Sequence, residues 1–251
     1  EDFVRARSNM EEAIRLAEEE GYRPKENWYV LLAACFNELK DRKVIGPEYA
    51  LEQQVGIYEI LVNYYPKKMY FLQLGGTYQQ MDREEDYMLT LKAAFDKDFL
   101  DKEGEYLALA QLLLIKKNPY WAAQVLVAGQ DKKVTIKDED TGEEEIVAVV
   151  KDKEKTLKLL ADAWRMAQEI DMAIPVLEKA AKMSKDGDTY VLLGNLYLFE
   201  DRMEDSIRAI EAGLKKSKVK SRSQALLVLG QAHFELQNFE EAKKQFRDAA
   251  R

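Results

Sequence analysis

One positional code recurs five times along this 251-residue chain, and it limits the possible folds more than any other feature. In YFLQLGGTYQQMDREEDYMLTLKAA, Phe71 is followed by Leu74-Gly75, Tyr78, Tyr87, Leu91 and Ala94. The template returns as Tyr106, Leu109-Ala110, Leu113, Ala122, Leu126 and Gly129, then as Leu157, Leu160-Ala161, Trp164, Ala173, Leu177 and Ala180. Two more copies are Tyr190, Leu193-Gly194, Tyr197, Ser206, Ile210 and Gly213, and Leu226, Leu229-Gly230, His233, Ala242, Phe246 and Ala249. Gly75, Ala110, Ala161, Gly194 and Gly230 are spaced by 35, 51, 33 and 36 residues, a period of about 34 broken by one insertion.

Spacings of three, four and seven put the large residues of each copy on one stripe of a first helix. The small residues fall where a second, antiparallel helix must come close. A glycine inside a helix costs roughly 0.5–1 kcal/mol relative to alanine, so Gly75 is expected to mark a contact between two helices. Upstream, NWYVLLAACFNEL gives a weaker first helix through Tyr29, Leu32, Ala33 and Phe36, and YALEQQVGIYEILVNYYP supplies its partner. The opening segment, with Ala6, Met10 and Ala13, has the spacing of a second helix alone and reads as half a repeat. The chain stops just after Ala249 with no polar capping helix and starts without a leader, so both ends read as truncated.

These residues resemble the tetratricopeptide repeat, whose pattern is a large residue, Leu-Gly, Tyr, Ala, an aromatic and Ala over about 34 residues. The resemblance implies an all-α protein, a right-handed α-solenoid of antiparallel helix pairs. We expect a single solenoid over 1–251, with a half repeat at 2–20 and repeats at about 27–66, 68–102, 103–130, 154–186, 187–219 and 222–251. The insertion at 131–153 contains DKKVTIKDEDTGEEEIVAVV. Val134 and Ile136 alternate, DEDTG is a turn, and Ile146, Ala148 and Val150 alternate again, which predicts a β-hairpin. Its acidic tip, Asp138 to Glu145, departs from a calcium loop: counting from Asp138, Gly142 and Glu143 stand where Asp or Asn and then Gly are needed.

Composition narrows the chemistry. Lys plus Arg is 38 against 46 Asp plus Glu, a net charge of −8, which opposes generic binding to a phosphate backbone. Cys35 and His233 stand alone, so neither a disulfide framework nor a Cys/His zinc cluster is expected. Apolar runs such as YLALAQLLLI fall short of the roughly 20 residues of a membrane span. His233 takes the place held by Tyr78, Trp164 and Tyr197 in sister copies and reads as a packing residue. Cys35, in LAACF, reads as a small core residue. No phosphate-binding glycine loop is present, so no catalysis and no cofactor are expected. The basic run KKSKVKSR, Lys215 to Arg222, suits the end of a helix, with an anionic contact as the alternative.

In a solenoid of this type the first helices line the concave face. Its candidate partner-binding residues are Leu72, Gln73, Gln79 and Gln80; Gln111, Leu114 and Ile115; Lys158, Asp162, Arg165 and Met166; Asn195, Leu198 and Phe199; Gln231 and Phe234. Amides and apolar groups in that mixture suit an extended or helical polypeptide. Lys158, Arg165 and Asn195 lack the arrangement of the carboxylate clamp found in chaperone-binding members of the family.

At a finer level RPKENW, NYYPKKMYFLQLGGTY, DKEGEYLALAQLLL and LADAWRMAQEIDMAIPVLEKAAKMSKDGDTYVLLGNLY are similar to tetratricopeptide proteins found with TonB, ExbB and ExbD in Gram-negative bacteria. That resemblance implies a periplasmic scaffold for outer-membrane nutrient uptake, exported by a signal peptide upstream of this stretch. The alternatives are a cytoplasmic co-chaperone or assembly adaptor, and a structural protein that self-associates through uncapped end repeats.

Overall fold

Each of the five copies folds into two helices joined by a tight turn. The computed structural model describes residues 2–137, 142–216 and 218–251. Asp138–Thr141 of the expected hairpin tip and Ser217 of the basic run lie outside the described residues. The copies are α4 (Lys68–Gln80) with α5 (Glu84–Asp96), α6 (Glu103–Ile115) with α7 (Pro119–Asp131), and α8 (Glu154–Met166) with α9 (Ile170–Met183). They continue with α10 (Asp188–Phe199) and α11 (Met203–Leu214), then α12 (Arg222–Glu235) and α13 (Phe239–Ala249). Ahead of them lie α1 (Asp2–Glu19), α2 (Glu26–Asp41) and α3 (Pro47–Tyr64). The fold is all-α, of solenoid type, with one small antiparallel hairpin among the described residues.

Two compact units make up the chain, Glu1–Asp101 and Lys102–Arg251. In the first, Tyr29, Leu32, Ala33 and Phe36 of α2 pack with Ile57 and Leu61 of α3 and Tyr70 of α4, and Met10 and Ile14 of α1 cover that cluster. In the second, Val191 of α10 and Ile210 of α11 pack with Ala225, Val228 and Leu229 of α12. Gly75, Tyr78, Ala110, Ala161, Trp164, Gly194, Tyr197, Gly230 and Ala242, the signature positions, are all buried.

The glycines show why the small positions are small. A Cβ on Gly194 would stand 2.5 Å from Ile210 Cδ1, and one on Gly230 would stand 2.6 Å from the Phe246 ring. Gly75 is less tight, with Tyr87 at 3.1 Å, and a Cβ on its neighbour Gly76 would meet nothing within 4 Å. Only the first glycine of the Gly75-Gly76 pair therefore sits at a close approach.

Each turn inside a pair carries one residue in the left-handed region: Asp82 (φ 55°), Lys117 (59°), Gln168 (64°), Asp201 (55°) and Gln237 (61°). The next N–H reaches back to the helix, as in Arg83 N to Tyr78 O at 3.0 Å and Arg202 N to Tyr197 O at 2.8 Å. This is the Schellman ending, which satisfies carbonyls that the last turn would otherwise leave open.

The insertion forms β1 (Lys133–Lys137) and β2 (Glu144–Ala148), with Val134 opposite Val147 and Thr135 opposite Ile146. Its anchoring differs from the expected alternation. Ile146 is 72% exposed, whereas the consecutive Val149 and Val150 are buried. Val149 N–H donates to Lys132 O and Val150 N–H to Gly129 O, both at 2.9 Å. Glu103 accepts Lys153 Nζ at 2.6 Å, and Asp152 accepts the Gln130 amide at 2.8 Å. The root of the hairpin, rather than a face of it, is what packs.

Candidate polypeptide-binding face

On the first helices, positions turned away from the buried stripe are those where polar side chains remain solvated. In the first unit Gln73, Gln79 and Gln80 are exposed on α4. Gln73 and Gln80 line one groove of about 320 Å³ together with Thr77 and Met69 of the same helix and Ala33, Ala34, Asn37 and Lys40 of α2. Gln79 is not part of its lining. The groove exists because two consecutive first helices, α2 and α4, present small residues toward each other, Ala33 and Ala34 against Thr77. Gln54 of α3 closes its floor and donates to the Ala33 carbonyl at 3.4 Å. The Gln80 amide donates to Gly76 O at 3.2 Å, which holds it on its own helix.

Sequence reasoning missed Asn37 and Lys40. Aligning Leu32-Ala33 with Leu74-Gly75 puts Asn37 at the place of Gln79, so the signal was present in the weaker copy.

In the second unit Gln111, Ile115, Phe199 and Gln231 are exposed, as are Met166 and Phe234, and Leu114 is half-buried. Others are engaged locally. Asn195 donates its amide to Val191 O at 3.0 Å, and Leu198 packs against the Val191–Ile210 cluster. Arg165 pairs with Asp162 at 3.3 Å, with its Nε buried and unpartnered among the described residues. Lys158 is tied to Glu154 at 2.9 Å. Phe234 stacks edge-to-face on Phe239 with ring centroids 5.5 Å apart.

His233 is half-buried and its Nδ1 has no hydrogen-bond partner among the described residues. Cys35 is buried, and burial pushes its thiol pKa up, the opposite of what a nucleophile needs. Among the described residues, no cluster of three or more His, Cys, Asp or Glu side chains is placed to hold a metal ion. Nor is any helix there long and apolar enough to cross a membrane.

Residues 223–251, the α12–α13 pair, match the tetratricopeptide repeat model. Among solved structures, MamA is similar at 18% identity with a TM-score of 0.52, covering 70% of this chain and 92% of its own. A further MamA structure gives 18% identity and a TM-score of 0.54, covering 72% and 89%. YrrB, described as a TPR protein with an unusual peptide-binding site, is 12% identical with a TM-score of 0.53, covering 76% of this chain and 89% of its own. No curated protein matches the sequence. At such identities the likeness is one of fold.

Proposed function

We propose that this chain is a non-catalytic protein-interaction scaffold that holds an extended or helical polypeptide segment against its first-helix face. The observation that carries this reading is the groove between α2 and α4, where exposed Gln73 and Gln80 stand over a floor of Ala33 and Ala34. Amides can bond the backbone of a bound segment, while the small-residue floor leaves room for its side chains. YrrB, of the same fold, binds peptide, which favours this use of the face. The net charge of −8 favours a polypeptide over a nucleic acid.

For the setting, we propose the periplasm beside TonB, ExbB and ExbD; its support is the resemblance of RPKENW and the related segments alone. Affinity capture from a Gram-negative envelope extract tests both. The parent chain is compared with a Gln73→Ala, Gln80→Ala variant whose circular dichroism is unchanged. Proteins retained by the parent and lost by the variant support the face, and TonB-system components among them support the setting. Equal retention by a folded variant overturns the face.

A further inference from the structure

Where α1 ends over the end of α3, tyrosines from three segments surround a cavity of about 380 Å³ lined by Tyr22, Tyr29, Tyr64 and Tyr65 with Glu18 and Arg23. The backbone sets it up. Gly21, at φ 76°, closes α1 in a Schellman turn, its N–H donating to Glu18 O at 3.0 Å and Tyr22 N–H donating to Ala17 O at 2.8 Å. In that motif the residue after the glycine commonly packs back on the helix, yet Tyr22 is 68% exposed. Tyr64 is also largely open, at 55%. The other two rings are fixed. Tyr65 donates to the Pro24 carbonyl at 2.6 Å, and buried Tyr29 donates to the Glu18 carboxylate at 3.2 Å.

A cation already sits here. The Arg23 guanidinium lies 4.8 Å from the centre of the Tyr64 ring. The carboxylate on the cavity wall is not consumed by the nearest base of its own helix, because Arg15 is engaged by Glu12 and Glu19. Aromatic faces beside a carboxylate attract an organic cation, and a planar, weakly hydrated guanidinium both stacks on a ring and forks onto a carboxylate. A compact, strongly hydrated ammonium pairs with the carboxylate only as a point charge and stacks less well.

We propose that this cavity binds the arginine side chain of a partner polypeptide, stacked on Tyr64 and paired with Glu18, and that Arg23 occupies the ring until the partner displaces it. The site is separate from the α2–α4 groove and does not depend on that groove's role.

The test is a titration of the whole chain followed by amide NMR, with acetyl-arginine amide as probe and acetyl-lysine amide and tetramethylammonium as comparators. Circular dichroism first confirms that the variants fold. The arginine probe is expected to shift residues 21–25 and 64–65 saturably and more tightly than either comparator. Arg23→Ala, which removes the internal occupant, should tighten binding about threefold, and Tyr64→Ala should weaken it about two- to fivefold, the size of a solvent-exposed cation–ring contact. Glu18→Gln and Tyr64→Phe serve if Tyr64→Ala does not fold: the first should weaken binding and the second preserve it. No saturable shift in either the parent or Arg23→Ala overturns the proposal. So does binding of the lysine amide or tetramethylammonium as tightly as arginine, or indifference to Glu18→Gln.

Discussion

Tyr197 on α10 donates its hydroxyl to Glu178 on α9, nineteen residues earlier, and Tyr78 on α4 makes the same bond to Glu59 on α3 across the same separation, at 2.6 Å. In both cases the second helix of one pair is tied to the first helix of the next. The surroundings repeat as well. Arg202 lies 4.5 Å over the Tyr197 ring and donates to Asp205 at 2.8 Å; Arg83 lies 4.6 Å over the Tyr78 ring and donates to Asp86 at 2.7 Å. The Arg202 hydrogen bond holds the Asp205 carboxyl below its usual range. The signature tyrosine thus does two things: its ring fills the pair and its hydroxyl fixes how pairs stack. Leu113, Trp164 and His233 at the equivalent place offer no phenol.

Tyr78→Phe isolates that hydroxyl. The ring still packs, and Glu59, which is exposed, regains water, so the net cost should be about 0.5–1.5 kcal/mol and toward the lower end. Urea unfolding of Tyr78→Phe and Tyr197→Phe should show similar losses. A loss above about 3 kcal/mol would mean that the glutamate is left buried and unpaired.

These phenols also set an alkaline limit. Burial, reinforced by the neighbouring carboxylates, pushes Tyr29 and Tyr70 up to about 12 and raises Tyr78 and Tyr197 as well. A proton held more tightly in the folded chain than in the unfolded one, where the pKa is about 10, stabilises fully below that pH and ceases to do so as pH passes the folded value. Urea midpoints should stay flat to about pH 9 and fall between roughly pH 10 and 12. Tyrosinate absorbance should show a late class of phenols that titrate together with the loss of helical signal. Simple titration of every tyrosine near pH 10 with the helices intact would contradict this.

Two helical glycines, Gly76 and Gly194, predict opposite signs for the same kind of change. Gly76→Ala meets nothing within 4 Å and should stabilise by about 0.5–1 kcal/mol, the helix preference of alanine. Gly194→Ala drives a methyl to 2.5 Å from Ile210 and 3.2 Å from the Ser206 carbonyl, and should cost about 1–3 kcal/mol. Equal melting shifts for the two would remove the close-approach account of the small positions.

The repeat was legible because close approach leaves few residue choices, so Gly75, Ala110, Ala161, Gly194 and Gly230 are all small and their spacing survives in the letters. The turns were not. A left-handed residue is usually recognised as glycine or asparagine, yet Asp82, Lys117, Gln168, Asp201 and Gln237 fill those places, and nothing in their side chains announces the conformation. The hairpin was legible as strands, but not its anchor, since Val149-Val150 only becomes buried by meeting Gly129 and Lys132 from another helix end. The tyrosine cavity is assembled from residues 18–29 and 64–65, and no local pattern links them. Of the candidate face, Gln73 and Gln80 meet in one groove, while Leu198 and Asn195 turned out to have structural partners because stripe positions at the edge of a helix can pack or not with equal spacing.

The left-handed turns carry a prediction of their own. Gln168, exposed at φ 64°, bears the steric cost that a Cβ has in that region, about 1–2 kcal/mol, whereas glycine avoids it but gives up some chain entropy on folding. Gln168→Gly should therefore raise stability by about 0.5–1 kcal/mol, and Gln168→Val should lower it by more than that, as read from thermal melts. The reverse order would mean that the turn relaxes when the residue changes.

Phe199 and Phe234 separate solvation from packing on the candidate face. Phe199 is 71% exposed at the end of α10; Phe234 is 51% exposed near the end of α12 but is paired edge-to-face with Phe239. Aspartate at either place puts a negative charge by a helix C-terminus, a penalty of about 0.3–1 kcal/mol common to both. The difference between Phe199→Asp and Phe234→Asp is then the aromatic pair, about 0.5–1.5 kcal/mol against Phe234→Asp. Phe239→Leu should shrink that difference, since it removes the partner ring while leaving Phe199 untouched. Chemical denaturation of six chains, the parent and Phe239→Leu each alone and with either aspartate change, reads this directly, and equal costs in the two aspartate variants would show that the ring pair does not hold α12 to α13.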